Sequence, residues 1–294
     1  MSGLPEDEFG PVASCSLSSG GLTLVKGSLE LSGLFLVQAY LKVLLQRNYA
    51  VVLVTAEQLL ERYQYTCKKM GVSLLQYQQS NHLFHVEAPL AAVGGAIGPE
   101  VDLAPAPGSG GSRLQQLIAA VQQAAMQRAP SAAGVALVID SLTVLSGMCP
   151  DQKEWTAFLH YCCSGLLGTS AAAGGQGMVD QAPQEQVPYC FVAGAYEDVS
   201  NDRRWLASLE HRANMVVTVG PLPGGKMADV DGQVTFTQRF GTPLSGSRTA
   251  AADVTPSAAA SAVALPLQLR QSLYFRSTEL AVKWMAAVTS RELL

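Results

Sequence analysis

The segment with the most chemical promise is Gly27-Ser-Leu-Glu-Leu-Ser-Gly33-Leu34-Phe35, which follows a short apolar run, Leu22 to Lys26 (LTLVK), and opens into an apolar helical pattern. Strand, glycine turn and helix in that order form the frame of a phosphate-binding loop. About 110 residues later a second apolar strand, Val135 to Ile139, ends in Asp140, which has the layout of a Walker B strand. A working loop reads GxxxxGK[ST]: backbone N–H groups cradle the phosphates, Lys neutralises them, and the hydroxyl holds Mg²⁺. With Gly33 as the second glycine, Leu34 stands at the lysine position and Phe35 at the magnesium-ligand position, while Glu30 brings a carboxylate into the loop. All three changes oppose nucleotide binding. Lys26 precedes the turn and reads as a strand-end lysine that does not reach the cradle. Asp140, followed by Ser141, then has no phosphate-bound Mg²⁺ to hold, and is expected to cap the helix or loop at its strand end. The expectation is a degenerate site with no cofactor and no ATP hydrolysis by the chain alone.

The remaining reactive side chains form no familiar catalytic set. His82 and His85 lie three apart in a strand-like stretch, where alternation sends them to opposite faces. His160 and Cys163 share a helix face, with Cys162 adjacent, but there is no second ligand pair at zinc spacing and, within that helix, no basic neighbour to lower a thiol pKa. Neither a GxSxG elbow nor an HExxH pair occurs. No metal and no catalytic residue is assigned. The best local charge signal is Asn201 to Ala213, where helical spacing collects Arg204, Ser208, His211 and Arg212 on one face and Leu206, Leu209 and Ala213 on the other. Arg203, Arg204, His211 and Arg212 are the candidates for contact with RNA phosphates or an acidic partner.

The elements that position these residues alternate between strand and helix patterns. Ser32 is the expected N-cap of a helix from Leu34 to about Arg47, and Ala50 to Thr55 is a buried strand. A helix from Glu57 to Met70 ends at Gly71, with Lys68 and Lys69 complementing its dipole. Then come a strand (His82 to Val86), a helix (Leu114 to Arg128), the strand ending at Asp140, and a helix from Trp155 to Leu167. Two strands, Tyr189 to Ala193 and Met215 to Val219, flank the basic helix. This order argues for an α/β fold with a mostly parallel sheet. From Gln233 to Phe240, Leu267 to Phe275 and Leu280 to Met285 the period shortens toward two, as in an antiparallel extension at a sheet edge. Residues 94–112, 169–187 and 242–264, rich in Ala, Gly, Ser and Thr, read as flexible insertions in a single domain spanning 1–294.

Composition narrows the partners. The chain has 294 residues and a formal charge of −4, so nucleic acid could be held only by a local basic patch. Charged residues are only 14% of the total, which favours subunit contacts over solvation. The acidic start MSGLPEDEFG has no signal-peptide pattern, and the most apolar window, Ala133 to Leu145, is interrupted by Asp140 and too short to cross a bilayer. Six scattered cysteines without a CxxC read as reduced intracellular thiols. The expectation is a cytoplasmic protein, with the nucleus as a second compartment, and no membrane partner.

Several segments together resemble the Elongator complex protein 6 family. They are Gly21 to Lys26 with SGLFLVQAYLKVLL, KKMGVSLLQY (Lys68 to Tyr77) with HLFHVE, LVIDSLTVLSG (Leu137 to Gly147) with FLHYCC, and the tail around LYFRSTELAVKWM. The resemblance implies a RecA-like three-layer fold without Walker motifs. It also implies a non-catalytic place beside two paralogous RecA-like subunits, four and five, in a heterohexameric ring. That ring would bind tRNA and serve a catalytic Elongator core that modifies wobble uridines. Two other readings remain open at this point: an ATPase with an atypical loop, and a degenerate recombinase-like protein that binds single-stranded DNA.

Overall fold

The computed structural model describes residues 21–88, 112–149, 151–164, 188–222, 225, 227, 229–239, 268–277 and 282–286. The expected insertions lie outside these residues, except that Ser112 is the N-cap of a helix: its Oγ accepts from Gln115 N–H while the Gln115 side chain accepts from the Ser112 N–H.

Among the described residues nine strands make one sheet in the order β3-β2-β4-β5-β1-β6-β7-β8-β9. The first six, β1 (Leu22–Gly27), β2 (Tyr49–Thr55), β3 (Leu83–Glu87), β4 (Gly134–Ile139), β5 (Tyr189–Tyr196) and β6 (Met215–Gly220), are mutually parallel. β7 (Gly232–Arg239), β8 (Gln268–Ser277) and β9 (Val282–Ala286) continue from β6 as an antiparallel meander. The shortened period of the tail therefore marked a change of pairing, as expected.

The buried strands sort their side chains between two cores by simple alternation. Val52, Val54, Leu137 and Ile139 enter one core, together with Leu117 and Val121 of α4 (Arg113–Met126), Leu142 of α5 (Leu142–Gly147), Trp155 of α6 (Gln152–Ser164) and Leu206 of α7 (Arg203–Arg212). Val51, Leu53, Ala136 and Val138 enter the other, with α1 (Leu34–Gln46), Tyr63 and Cys67 of α2 (Leu60–Lys69) and Leu74 of α3 (Leu74–Gln79). Two helical layers around a sheet follow directly. α1 is the most enclosed helix, burying even Gln38 and Lys42. α2 ends as its sequence requires: Gly71 adopts φ +77°, Gly71 N–H donates to Lys68 O, and Val72 N–H donates to Cys67 O, the double bond of a Schellman cap.

Several elements differ from the sequence reading. α2 begins at Leu60 rather than Glu57, because residues 56–58 are held in a loop described below. His82 precedes β3 instead of opening it, its Nδ1 lying 2.9 Å from Ser80 O. The short helices α3 and α5 carry too few turns to show a periodic pattern. For α6 the last expected residues, 165–167, lie outside the described ones.

Candidate functional site at the carboxyl edge of the sheet

The loop between β1 and α1 lies where a phosphate cradle would form, and its backbone is closed on itself. Ser28 N–H donates to Leu31 O (3.0 Å) and Leu31 N–H to Ser28 Oγ (3.1 Å). Leu34 N–H donates to Ser32 Oγ (3.3 Å), and Leu29 N–H to the Asp198 carboxylate (2.9 Å). In a working cradle such amides converge on phosphate; here four have acceptors within the chain, and one acceptor is itself an anion. Gly27 and Gly33 are demanded by this closure. A Cβ on Gly27 would sit 2.7 Å from Gly33 N and from Leu31 O, and one on Gly33 would sit 2.8 Å from Val25 Cγ1.

The two cation-handling positions have become packing positions. Leu34 is buried, and the Phe35 ring stacks on Phe275 of β8 with centroids 4.9 Å apart. Phe35 thereby ties α1 to the antiparallel extension, an attachment that threonine or serine there could not make. Glu30 is exposed at the loop. Ser32 is not the N-cap: Gly33 is, and Ser32 serves the helix start from one residue earlier, through Leu34 N–H.

Asp140 ends β4 and is 2% exposed. Its carboxylate accepts from the N–H groups of Ala56 (2.7 Å), Glu57 (3.1 Å) and Gln58 (3.2 Å), fixing the loop that follows β2. This is the loop-capping role expected of it. Burial pushes its pKa up to about 6, against the opposing pull of the three amides. Ser141 caps α5, accepting from Val144 N–H.

Tyr196, at the end of β5, links these loops. Its hydroxyl donates to Glu57 Oε1 at 2.5 Å and lies 3.1 Å from Ser32 Oγ, while its N–H donates to Thr143 Oγ1. Burial, and next the bond to Glu57, raise the phenol pKa to about 12, so it stays a donor. Lys26 is held by Glu197 (3.1 Å) and Glu210 of α7 (2.5 Å). Burial alone would lower its pKa, but the two carboxylates outweigh it and the ammonium is stabilised. Lys26 is thus the strand-end lysine expected, engaged by carboxylates. Glu57, Tyr196 and Asp198 were not singled out in the sequence. The available signal was their place directly after parallel strands, where ligands of open α/β sheets collect.

The basic candidates lie elsewhere. α7 buries Trp205, Leu206 and Leu209 and exposes Arg203, Arg204, His211 and Arg212, so the face expected from spacing exists. His85, inside β3, meets Thr55 Oγ1 at 2.8 Å, and burial lowers its pKa to about 4, leaving it neutral. Among the described residues Glu210 of α7 bonds to Lys26, in the strand that precedes the loop, while Arg203, Arg204, His211 and Arg212 are exposed.

A parallel sheet between two helical layers, with a strand–loop–helix unit where nucleotide would bind, defines a RecA-like protein whose phosphate loop is degenerate. Solved structures share the fold. A KaiC-like protein of the hyperthermophilic archaeon Pyrococcus horikoshii superposes with a TM-score of 0.51 at 11% identity, covering 96% of each chain. A second protein of Pyrococcus horikoshii, solved with an unknown peptide, gives a TM-score of 0.50 at 11% identity, covering 91% of this chain and 92% of that one. No curated protein matches significantly. The family model described as Elongation complex protein 6 matches residues 12–252, and the chain belongs to that family. It is therefore an Elongator subunit of the accessory kind.

Proposed function

We propose that the chain is a non-catalytic building block of a heterohexameric ring formed with two paralogous RecA-like Elongator subunits. The ring would hold tRNA for the catalytic core that modifies wobble uridines. The observation that carries this reading is the closed loop after β1. Four of its amides are bonded internally, Leu34 and Phe35 replace the cation-handling residues, and Asp198 supplies the anion. A RecA-like subunit released from nucleotide chemistry keeps two faces for head-to-tail contacts, the arrangement a closed ring needs. α7 supplies a basic surface on an otherwise acidic chain, suited to phosphate contacts.

Co-expression with the two paralogues tests the assembly. The expected result is equimolar recovery of all three chains in one particle that binds tRNA. Recovery of recombination factors only, or ATP hydrolysis by the purified chain that disappears in Asp140→Ala, would overturn it.

A further inference from the structure

A second basic surface lies on the opposite helical layer from α7. α2 buries Tyr63 and Cys67 against the sheet, packs Leu60 beside them, and exposes Glu61, Arg62, Tyr65 and Lys68. Helical spacing puts Tyr65 in the middle of that outward face, with Glu61 and Lys68 to one side and Arg62 and Lys69 to the other. Tyr65 is 56% exposed, and the Lys69 ammonium stands 4.4 Å from its ring centroid. Reading Lys68 and Lys69 from sequence as charges that complement the helix dipole accounts for their position at the end of α2. It does not account for an aromatic ring at the centre of the solvent face, which the core does not use.

We propose that this face of α2 is a stacking site for an unpaired nucleotide of RNA, with the base lying on the Tyr65 ring face opposite the Lys69 ammonium and Arg62 and Lys68 meeting the flanking phosphates. Single-stranded nucleic acids are held by this combination of an exposed aromatic face and nearby cations, because every base has a π-face and every nucleotide a phosphate. Three cations against one carboxylate, Glu61, give the face a net positive charge on a chain whose total is −4. An acidic peptide could use the cations but has no need of the ring. α7 differs in this respect: its tryptophan is buried and its indole N–H donates to Asp202, so it offers phosphate contacts without a platform. The inference concerns a different face from the basic helix of the preceding section and rests on that reading only for RNA as the ligand class.

The test uses the full-length chain in its assembly with partner subunits. Fluorescence anisotropy would follow a labelled single-stranded oligouridylate of about ten nucleotides and a blunt RNA duplex of the same length. The expected pattern has four parts. The single strand is preferred; Tyr65→Leu, which keeps an apolar side chain but removes the ring, weakens it about tenfold; Tyr65→Phe retains it; and Lys68→Glu with Lys69→Glu weakens it and flattens its salt dependence. Single-strand affinity unchanged within about twofold in Tyr65→Leu would overturn the proposal, as would equal displacement of the RNA by polyglutamate from the parent and Tyr65→Leu assemblies. If changing Arg203, Arg204 and Arg212 abolishes RNA binding while Tyr65→Leu does not reduce it, this site fails and the ring reading stands. If the unaltered assembly binds no RNA, both fail.

Discussion

The loop after β1 and the helix α7 both carry groups that bind phosphate in other proteins, and they have been treated in opposite ways. In the loop the amides of Ser28, Leu29, Leu31 and Leu34 all donate to acceptors inside the chain. On α7 the side chains of Arg203, Arg204, His211 and Arg212 point to solvent and make no hydrogen bond or ion pair with other described residues. The difference shows that capacity to bind an anion depends on which donors are still unengaged, more than on the shape of the backbone unit that presents them. A phosphate entering the loop would have to displace Asp198 and unfold a tight turn, whereas α7 needs only to shed water.

The sharpest way to break this contrast is to remove the carboxylate that locks the neighbouring loop. Asp140→Ala leaves the N–H groups of Ala56, Glu57 and Gln58 without their acceptor in a buried place. A loss of about 3 kcal/mol is expected in urea denaturation; a loss near zero would mean the three bonds are not structural. Next in size is the double change Leu34→Lys with Phe35→Thr, which restores the residue types of a working loop. It removes the stack on Phe275 and places an amine at a buried position, so stability should fall by about 2 kcal/mol. Calorimetry with Mg-ATP should show no binding, because the loop amides stay engaged. Recovery of nucleotide binding would show that two side chains alone had silenced the site.

How much of this was visible in the sequence depends on the range of the interactions. The strands and helices were legible because alternation and helical spacing are local, and the loss of Walker chemistry was legible because Leu34, Phe35 and Glu30 are read directly. α7 was legible too, since amphipathic spacing within ten residues assigns its faces. The lock was not. Tyr196 reaches Glu57 across 139 positions of sequence and Asp198 reaches Leu29 across 169, and neither pairing leaves a local pattern. Tyr65 was hidden differently: it lies in a helix whose end signals at Lys68, Lys69 and Gly71 already gave those residues a sufficient local role.

The buried aspartate also gives the locked edge a pH dependence. Its folded-state pKa of about 6 stands above the ordinary value of 3.8, so the native state takes up a proton before the unfolded chain does. Stability from this group therefore rises as pH falls through about 6 toward 4, by up to about 1.4 kcal/mol per pH unit, and is lost again above it. Asp140→Asn cannot titrate. The difference in unfolding free energy between parent and Asp140→Asn should thus move in the parent's favour between pH 7 and pH 4. A flat difference would mean that the three amides hold the carboxylate's pKa where it is in an unfolded chain.

The smallest effect on stability is expected where the charges are outward. Arg203→Glu, Arg204→Glu and Arg212→Glu together should shift the unfolding free energy by no more than about 0.5 kcal/mol per site, since none of the three anchors a described neighbour by hydrogen bond or ion pair. They should nonetheless weaken tRNA binding by the assembled ring at least tenfold in low salt. They should also reduce the slope of log affinity against log salt by one to about three phosphate equivalents. The pairing of a near-silent stability change with a large, salt-sensitive binding change separates an interaction surface from an ordinary solvated face. Unchanged tRNA affinity in low salt, with the ring intact, would return α7 to the latter. The contrast with the loop after β1 would then lie in hydrogen bonding alone, with no functional surface at its other end.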